Sequence, residues 1–454
     1  MLMAKKRRRI KKNVKKGCGI FLLMLVVILS FSLVRCGCSR SASTENADST
    51  DILLDDVIPH PHINQSVKED LTSLIQSPQR LDTSLIAISI YDLTADKSIM
   101  QWHDNRLMIP ASCLKLLTAI TALERYGLKH MYNVSESIYG ETCDGTLRGV
   151  VLIQADDDPM FDNLTPLAET LKEKGIERIE GGVILSLMRD DTLKAHPAAA
   201  FWDIPYHKVP VLLKGRERVE RELLTTFRSQ GIAVVPTPIF VPLELLDPPA
   251  SASYRFALNL YTHKAERIYT HQTPLTDVIT PMLIHSSNIK ADALFYHLDH
   301  SFDHLTGHHE PSRHLTDIFI DEDLKYTNAE RQLFTIEDGS GLCPDNNVTA
   351  DFLTRLLIYA WQRKEMRHYL IHDALATPGH PERHGSLLGR MTAPAYRNRI
   401  FCKTGTLVTR GASSLAGYAK GTDGHWYAFS IINEDSPVAE SRIFQDKVCH
   451  ILVQ

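Results

Sequence analysis

The chain has 454 residues, 44% of them hydrophobic and 23% charged, which is the composition of an ordinary folded globular protein of about two to four domains. Its net charge of −4 hides a split: the first forty residues carry eleven Lys or Arg and no Asp or Glu, leaving 39 basic residues (50 less 11) against 54 acidic ones. A body that acidic lacks the basic face a nucleic-acid partner requires, so nucleic acid is excluded as a partner.

Lys5, Lys6, Arg7, Arg8, Arg9, Lys11, Lys12, Lys15 and Lys16 precede an almost wholly apolar run at 20–34. Such a basic flank stays cytoplasmic while the following chain is exported. Residues 1–38 are therefore expected to be a hydrophobic signal or short anchor at the inner membrane, with the body outside the cytoplasm, in the periplasm. The apolar run is short for a spanning helix. Arg35 stands where a lipidation site at Cys36 needs a small residue, which favours a signal or anchor over a lipoprotein. Residues 39–66, polar and then Pro59-His60-Pro61-His62, read as a tether.

A short helix is expected at 67–75 and a strand at 85–92. Met108-Ile109-Pro110 then leads into Ser112-Cys113-Leu114-Lys115. The apolar spacing of Leu116, Leu117, Ala119, Ile120, Ala122 and Leu123, with Gly127 as a stop, predicts a helix. Ser112 and Lys115, three apart, share a face of it, and first-turn N–H groups favour developing negative charge. A serine beside an amine and backbone donors is the arrangement a nucleophile needs. The pair alone is a weak signal, because the same spacing recurs at Ser287 and Lys290.

From 135 to 272 the texture becomes that of a β/α module, with strands at 149–153 and 183–185 and helices at 167–174 and 219–227. Asp156-Asp157-Asp158-Pro159 could take a cation, but a turn before proline is the expectation. The chain reads as helical at 280–306 and 350–359. Strands at 399–404, 414–419 and 426–432, joined by short glycine turns, predict an antiparallel sheet, and a helix at 441–452 closes the chain. Of the eight cysteines, those at 113, 143, 343, 402 and 449 lie in the body, show no zinc-ligand spacing and read as small buried hydrophobes.

Three motifs follow the first in order: Ser286-Ser287-Asn288, Asp338-Gly339-Ser340-Gly341-Leu342 and Lys403-Thr404-Gly405-Thr406. Together with Ser112-x-x-Lys115 they resemble the penicillin-binding proteins and serine β-lactamases. The resemblance is closest to the D-alanyl-D-alanine carboxypeptidases/endopeptidases of peptidase family S13, on Pro110-Ala111-Ser112, Asp158-Pro159, the Asp338 turn and the wide gap between Ser112 and Ser286. It implies an α+β fold (an α/β sandwich): a β-lactamase/transpeptidase-like domain from 67–134 and 273–454, its antiparallel sheet flanked by helices, with an inserted β/α domain at 135–272. It also implies a penicillin-sensitive serine hydrolase that cleaves the peptidoglycan stem peptide through an acyl-enzyme, with endopeptidase action as a further expectation, no cofactor and no metal. Ser112 is the candidate nucleophile, Lys115 the base and Ser286 the proton relay. Asn288, Lys403, Thr404, Gly405 and Thr406 are the candidate substrate-binding residues, with Gly405 keeping the strand edge bare. The N–H groups of Ser112 and Thr406 form the implied oxyanion hole, and the Asp338 turn is kept structural.

Two other functions stay open at this point, a β-lactamase of the same superfamily and a non-catalytic cell-wall-binding protein. The first would need a group that hydrolyses the acyl-enzyme, and no Glu-x-x-x-Asn motif is present. His297, His300 and His304 fall on one helix face near His308, His309 and His314, a pattern open to a metal, though solvated or core histidines are favoured. The catalytic reading requires the amines of Lys115 and Lys403 to converge.

Overall fold

The computed structural model describes residues 63–77, 80–188, 190–199, 204–235, 265–298 and 314–454, all within one compact unit of Val57–Gln454. The basic segment and most of the tether lie outside these residues. The first helix, α1 (Ile63–Gln76), begins inside the stretch expected to be tether. No described helix is long and apolar enough to cross a membrane.

Two sheets carry the fold. The first is five-stranded and antiparallel, in the order β2 (Lys97–Trp102), β1 (Ile86–Asp92), β11 (Trp426–Asn433), β10 (Ala412–Lys420), β9 (Ile400–Leu407). Successive side chains of a strand point to opposite faces, and here both faces are covered. Ile86, Ile88, Ile90, Tyr427, Phe429 and Ile431 pack against α1 and the C-terminal helix α8 (Val438–Val453). The alternate residues meet α7 (Ala350–Trp361), where Thr354 Oγ1 donates to Ser89 O (3.2 Å) and Ser430 Oγ to Ala350 O (2.5 Å). Double coverage explains why β11 is buried along its whole length and is apolar apart from Ser430 and Asn433. The edge strand β9 faces the site.

The second sheet spans residues 131–274. Its order is β7 (Ala233–Val234), β5 (Arg178–Ile179), β4 (Thr146–Ala155), β3 (Met131–Cys143), β8 (Glu266–Pro274), with β6 (Val183–Leu187) also on β4. Helices α3 (Thr165–Glu173) and α4 (Arg216–Ser229) bury Leu167, Leu171, Leu223 and Phe227 against it in an apolar core separate from that of the first sheet. Glu136 on β3 is fully buried there with neither carboxylate oxygen hydrogen-bonded; burial alone pushes its pKa up to about 9, so it is a neutral acid at pH 7. The long β3 and β8 were not legible in the sequence, because polar residues such as Asn133, Glu136, Arg267 and Gln272 interrupt the alternation.

Between the sheets in sequence come α2 (Lys115–Tyr126), α5 (Leu275–Ile284) and α6 (Asn288–Leu298). The mixed helix and antiparallel-sheet architecture is the α+β class expected. Cys113, Cys343, Cys402 and Cys449 are buried free thiols, whereas Cys143 is exposed.

Candidate active site

Ala111–Leu114 forms a tight turn that runs directly into α2, so Lys115 opens the helix and Ser112 stands just ahead of it. The spacing works as the helical geometry demands: Lys115 Nζ donates to Ser112 Oγ at 3.0 Å. Lys115 is completely buried, and its amine also donates to Asn288 Oδ1 (2.8 Å) and Ser340 O (2.6 Å). Burial, then the charge of Lys403, pulls its pKa down to about 7.

Asn288 is the first residue of α6. Two positions earlier, Ser286 Oγ accepts from Lys403 Nζ at 2.9 Å, and the same amine donates to Thr404 O (2.7 Å). The two amines therefore meet one short segment, each through its own side chain. Lys403 is 1% exposed, and burial brings its pKa down to about 8. Thr404 Oγ1 is hydrogen-bonded to Ser386 Oγ, and Thr406 Oγ1 accepts from Arg442 Nη2 at 3.1 Å. All eight candidate residues thus come together beside the edge strand β9.

The backbone around the site is strained. Ala111, just before the nucleophile, has φ 44°, and Ser286 has φ 57°. Neither is glycine, and such left-handed residues cost about 1–3 kcal/mol unless the surroundings hold them. The holding contacts are on both sides of the turn. Cys113 Sγ donates to Lys403 O (3.2 Å) and Ser414 Oγ to Pro110 O (2.5 Å). Opposite, Gly341 (φ 76°) packs so closely that a Cβ there would lie 2.0 Å from Ala111 O.

Gly405 is closely packed against its neighbours. A Cβ at Gly405 would lie 2.1 Å from Ser414 Oγ, 2.7 Å from Pro110 O and 3.0 Å from Cys113 N. The missing side chain makes room for the turn that carries Ser112. Gly405→Ala is expected to push Ser112 off β9, lowering the acylation rate by about a hundredfold and stability by about 1–3 kcal/mol; stopped-flow acylation and thermal melting check it.

The Asp338 turn does more than shape the sheet. The Asp338 carboxylate accepts from Ser340 N (3.1 Å), Gly341 N (2.6 Å), Cys343 N (2.6 Å) and Asn346 Nδ2 (3.1 Å). That folds the turn so that Ser340 O faces Lys115. Ser340, Ser386, Arg442 and the buried Asp292 were missed by the sequence reading. Only the Asp338 motif gave a signal, and a main-chain ligand leaves no trace in residue type.

The remaining candidates are not part of this cluster. Ser287 Oγ accepts from Lys290 N at 3.4 Å while Lys290 Nζ reaches Met160 Sδ at 2.9 Å, so the second serine–lysine pair does not form. Asp156 accepts from Asn133 N and Asp158 from Met160 N and Thr273 Oγ1, which ties a turn to neighbouring strands. His297 is buried against the rings of Tyr126 and Tyr132, and His314 caps a short helix at Thr316 N. His300, His304, His308 and His309 lie outside the described residues.

The sequence matches the D-Ala-D-Ala carboxypeptidase 3 (S13) family over residues 67–204 and 261–452, most of the chain. It is 22% identical over 451 residues to the D-alanyl-D-alanine carboxypeptidase of Actinomadura sp. (strain R39), covering 81% of this chain and 80% of that one. Penicillin binding protein 4 (dacB) from Haemophilus influenzae has the same fold, with a TM-score of 0.60 at 16% identity over 85% of this chain and 97% of that one. Bd3459, a predatory peptidoglycan endopeptidase from Bdellovibrio bacteriovorus, has it too, with a TM-score of 0.55 at 14% identity over 81% and 92%. The chain belongs to the D-Ala-D-Ala carboxypeptidase 3 (S13) family and is a serine-type D-Ala-D-Ala carboxypeptidase.

Proposed function

We propose that Ser112 is the nucleophile of this carboxypeptidase and Lys115 its general base. The observation that carries this reading is the buried Lys115 amine hydrogen-bonded to Ser112 Oγ at 3.0 Å. Ser112 Oγ attacks the carbonyl of the penultimate D-alanine and passes its proton to Lys115 Nζ. The C–N bond then breaks, and Ser286, held by Lys403, relays a proton to the departing amine. Water hydrolyses the resulting ester. Lys403, Thr404 and Thr406 receive the terminal carboxylate of the stem peptide, and Asn288 offers its amide to the peptide backbone. The N–H groups of Ser112 and Thr406 hold the oxyanion.

A β-lactam imitates the scissile amide and acylates the same serine. A complex of the Haemophilus influenzae relative with a β-lactam supports this. The catalytic part is built from 67–134 and 273–454, and residues 135–272 form an inserted domain; the separate apolar cores of the two sheets support that division. Endopeptidase action on cross-linked peptides belongs to the same chemistry, since only the leaving amine differs. The enzyme works outside the cytoplasm, tethered to the inner membrane by residues 1–38.

Labelled penicillin should give one covalent adduct per chain, on the peptide containing Ser112, by mass spectrometry. Rapid turnover of penicillin without an adduct would instead mark a β-lactamase.

A further inference from the structure

Asp292 lies one helical turn beyond Asn288 on α6, so it leaves the helix on the face that meets Lys115. It is 7% exposed, and its Oδ1 has no hydrogen-bond partner. Ser340, whose carbonyl takes the Lys115 amine at 2.6 Å, favours the ionised form of the Asp292 carboxyl. The turn itself does not need this acid, because Asp338 already caps it through four donors.

A buried carboxyl with an unfilled oxygen is costly unless a charge offsets it. The charged groups acting on it are Asp338 from the turn and Lys115 from α2, with Lys403 of β9 and the thiol of Cys113 acting on Lys115. Burial and Asp338 push the Asp292 carboxyl up, and Lys115 draws it down. In return Asp292 favours the charged form of Lys115, against burial and Lys403.

We propose that Asp292 is a positioning residue of the acyl-transfer site, a buried acid that acts through Ser340 and Lys115 and whose charge sets whether Lys115 rests as an ammonium or as a free amine. This rests on the assignment of Ser112 and Lys115 above. Ionised, Asp292 holds the ammonium in place; protonated, it frees Lys115 to take the proton of Ser112. The proton moves from Ser112 Oγ to Lys115 Nζ as the Oγ electron pair forms the new bond to carbon. Asp292 makes no bond to substrate.

The test is the pH dependence of acylation by a fluorescent penicillin, read for wild type, Asp292→Asn, Asp292→Glu and Ser340→Ala, with thermal melting as a fold control. Removing the negative charge lowers the proton affinity of Lys115, so the acid limb of the Asn variant should move to lower pH by about one unit. Asp292→Glu should return it toward wild type. Ser340→Ala removes a hydroxyl that favours ionised Asp292, so it should move the limb the same way by a smaller amount. A purely structural role lowers the rate by one factor at every pH and leaves the limb in place, and that result overturns the proposal. If the Asn variant does not fold, an unmoved limb in Ser340→Ala overturns it equally. A wild-type enzyme that penicillin never acylates rejects the nucleophile assignment itself, whatever the variants do.

Discussion

Ser112→Ala should bind penicillin without forming an adduct and should release D-alanine from a D-Ala-D-Ala peptide slower by on the order of 10⁴-fold or more. On the proposed assignment the variant removes the atom that forms the acyl-enzyme bond to substrate carbon. It should fold normally, because Ser112 is half-buried and its hydroxyl is one of three acceptors of the Lys115 amine; Asn288 Oδ1 and Ser340 O remain. The measurement is the D-alanine release rate at saturating peptide, beside a melting curve. Release within about tenfold of wild type would take the chemistry away from Ser112.

The second large effect is on Lys115. Lys115→Ala should lower acylation by about 10²–10⁴-fold, the usual worth of a placed general base. Lys115→Arg should be as poor, since a guanidinium stays protonated. The wild-type pH profile follows from the same amine. As a base Lys115 must be neutral, and its pKa is drawn down to about 7, so acylation should fall as pH drops below about 7. Lys403 must be charged to hold a carboxylate, and its pKa is drawn down to about 8, so activity should fall again above about 8. The rate is therefore expected to be bell-shaped, with its maximum between these values, in stopped-flow acylation across pH. A profile that rises through pH 9 would remove Lys403 from carboxylate binding. One flat from pH 5 to 8 would remove Lys115 as the base.

The sequence by itself determined the order of the catalytic motifs, the Ser112–Lys115 face and the late strands β9, β10 and β11. These are local matters: a helix puts residues three apart side by side, and short glycine turns leave neighbouring strands little choice but to pair. It did not give β3 and β8, whose pairing joins residues more than a hundred positions apart and whose alternation is broken by buried Glu136 and its neighbours. Nor did it give the close packing of Gly405 against the Ser112 turn.

Tertiary structure alone decided which serine–lysine pair forms, since Lys290 has the right spacing but reaches Met160. It alone brought Ser340 O and Asp292 beside Lys115 and buried both amines, and burial is what draws their pKa values toward neutrality. The physical reason is range. Residue types and spacing fix contacts within a turn or a hairpin, whereas desolvation and long-range charge depend on which distant segments close over a group, and that is written only in the packed chain.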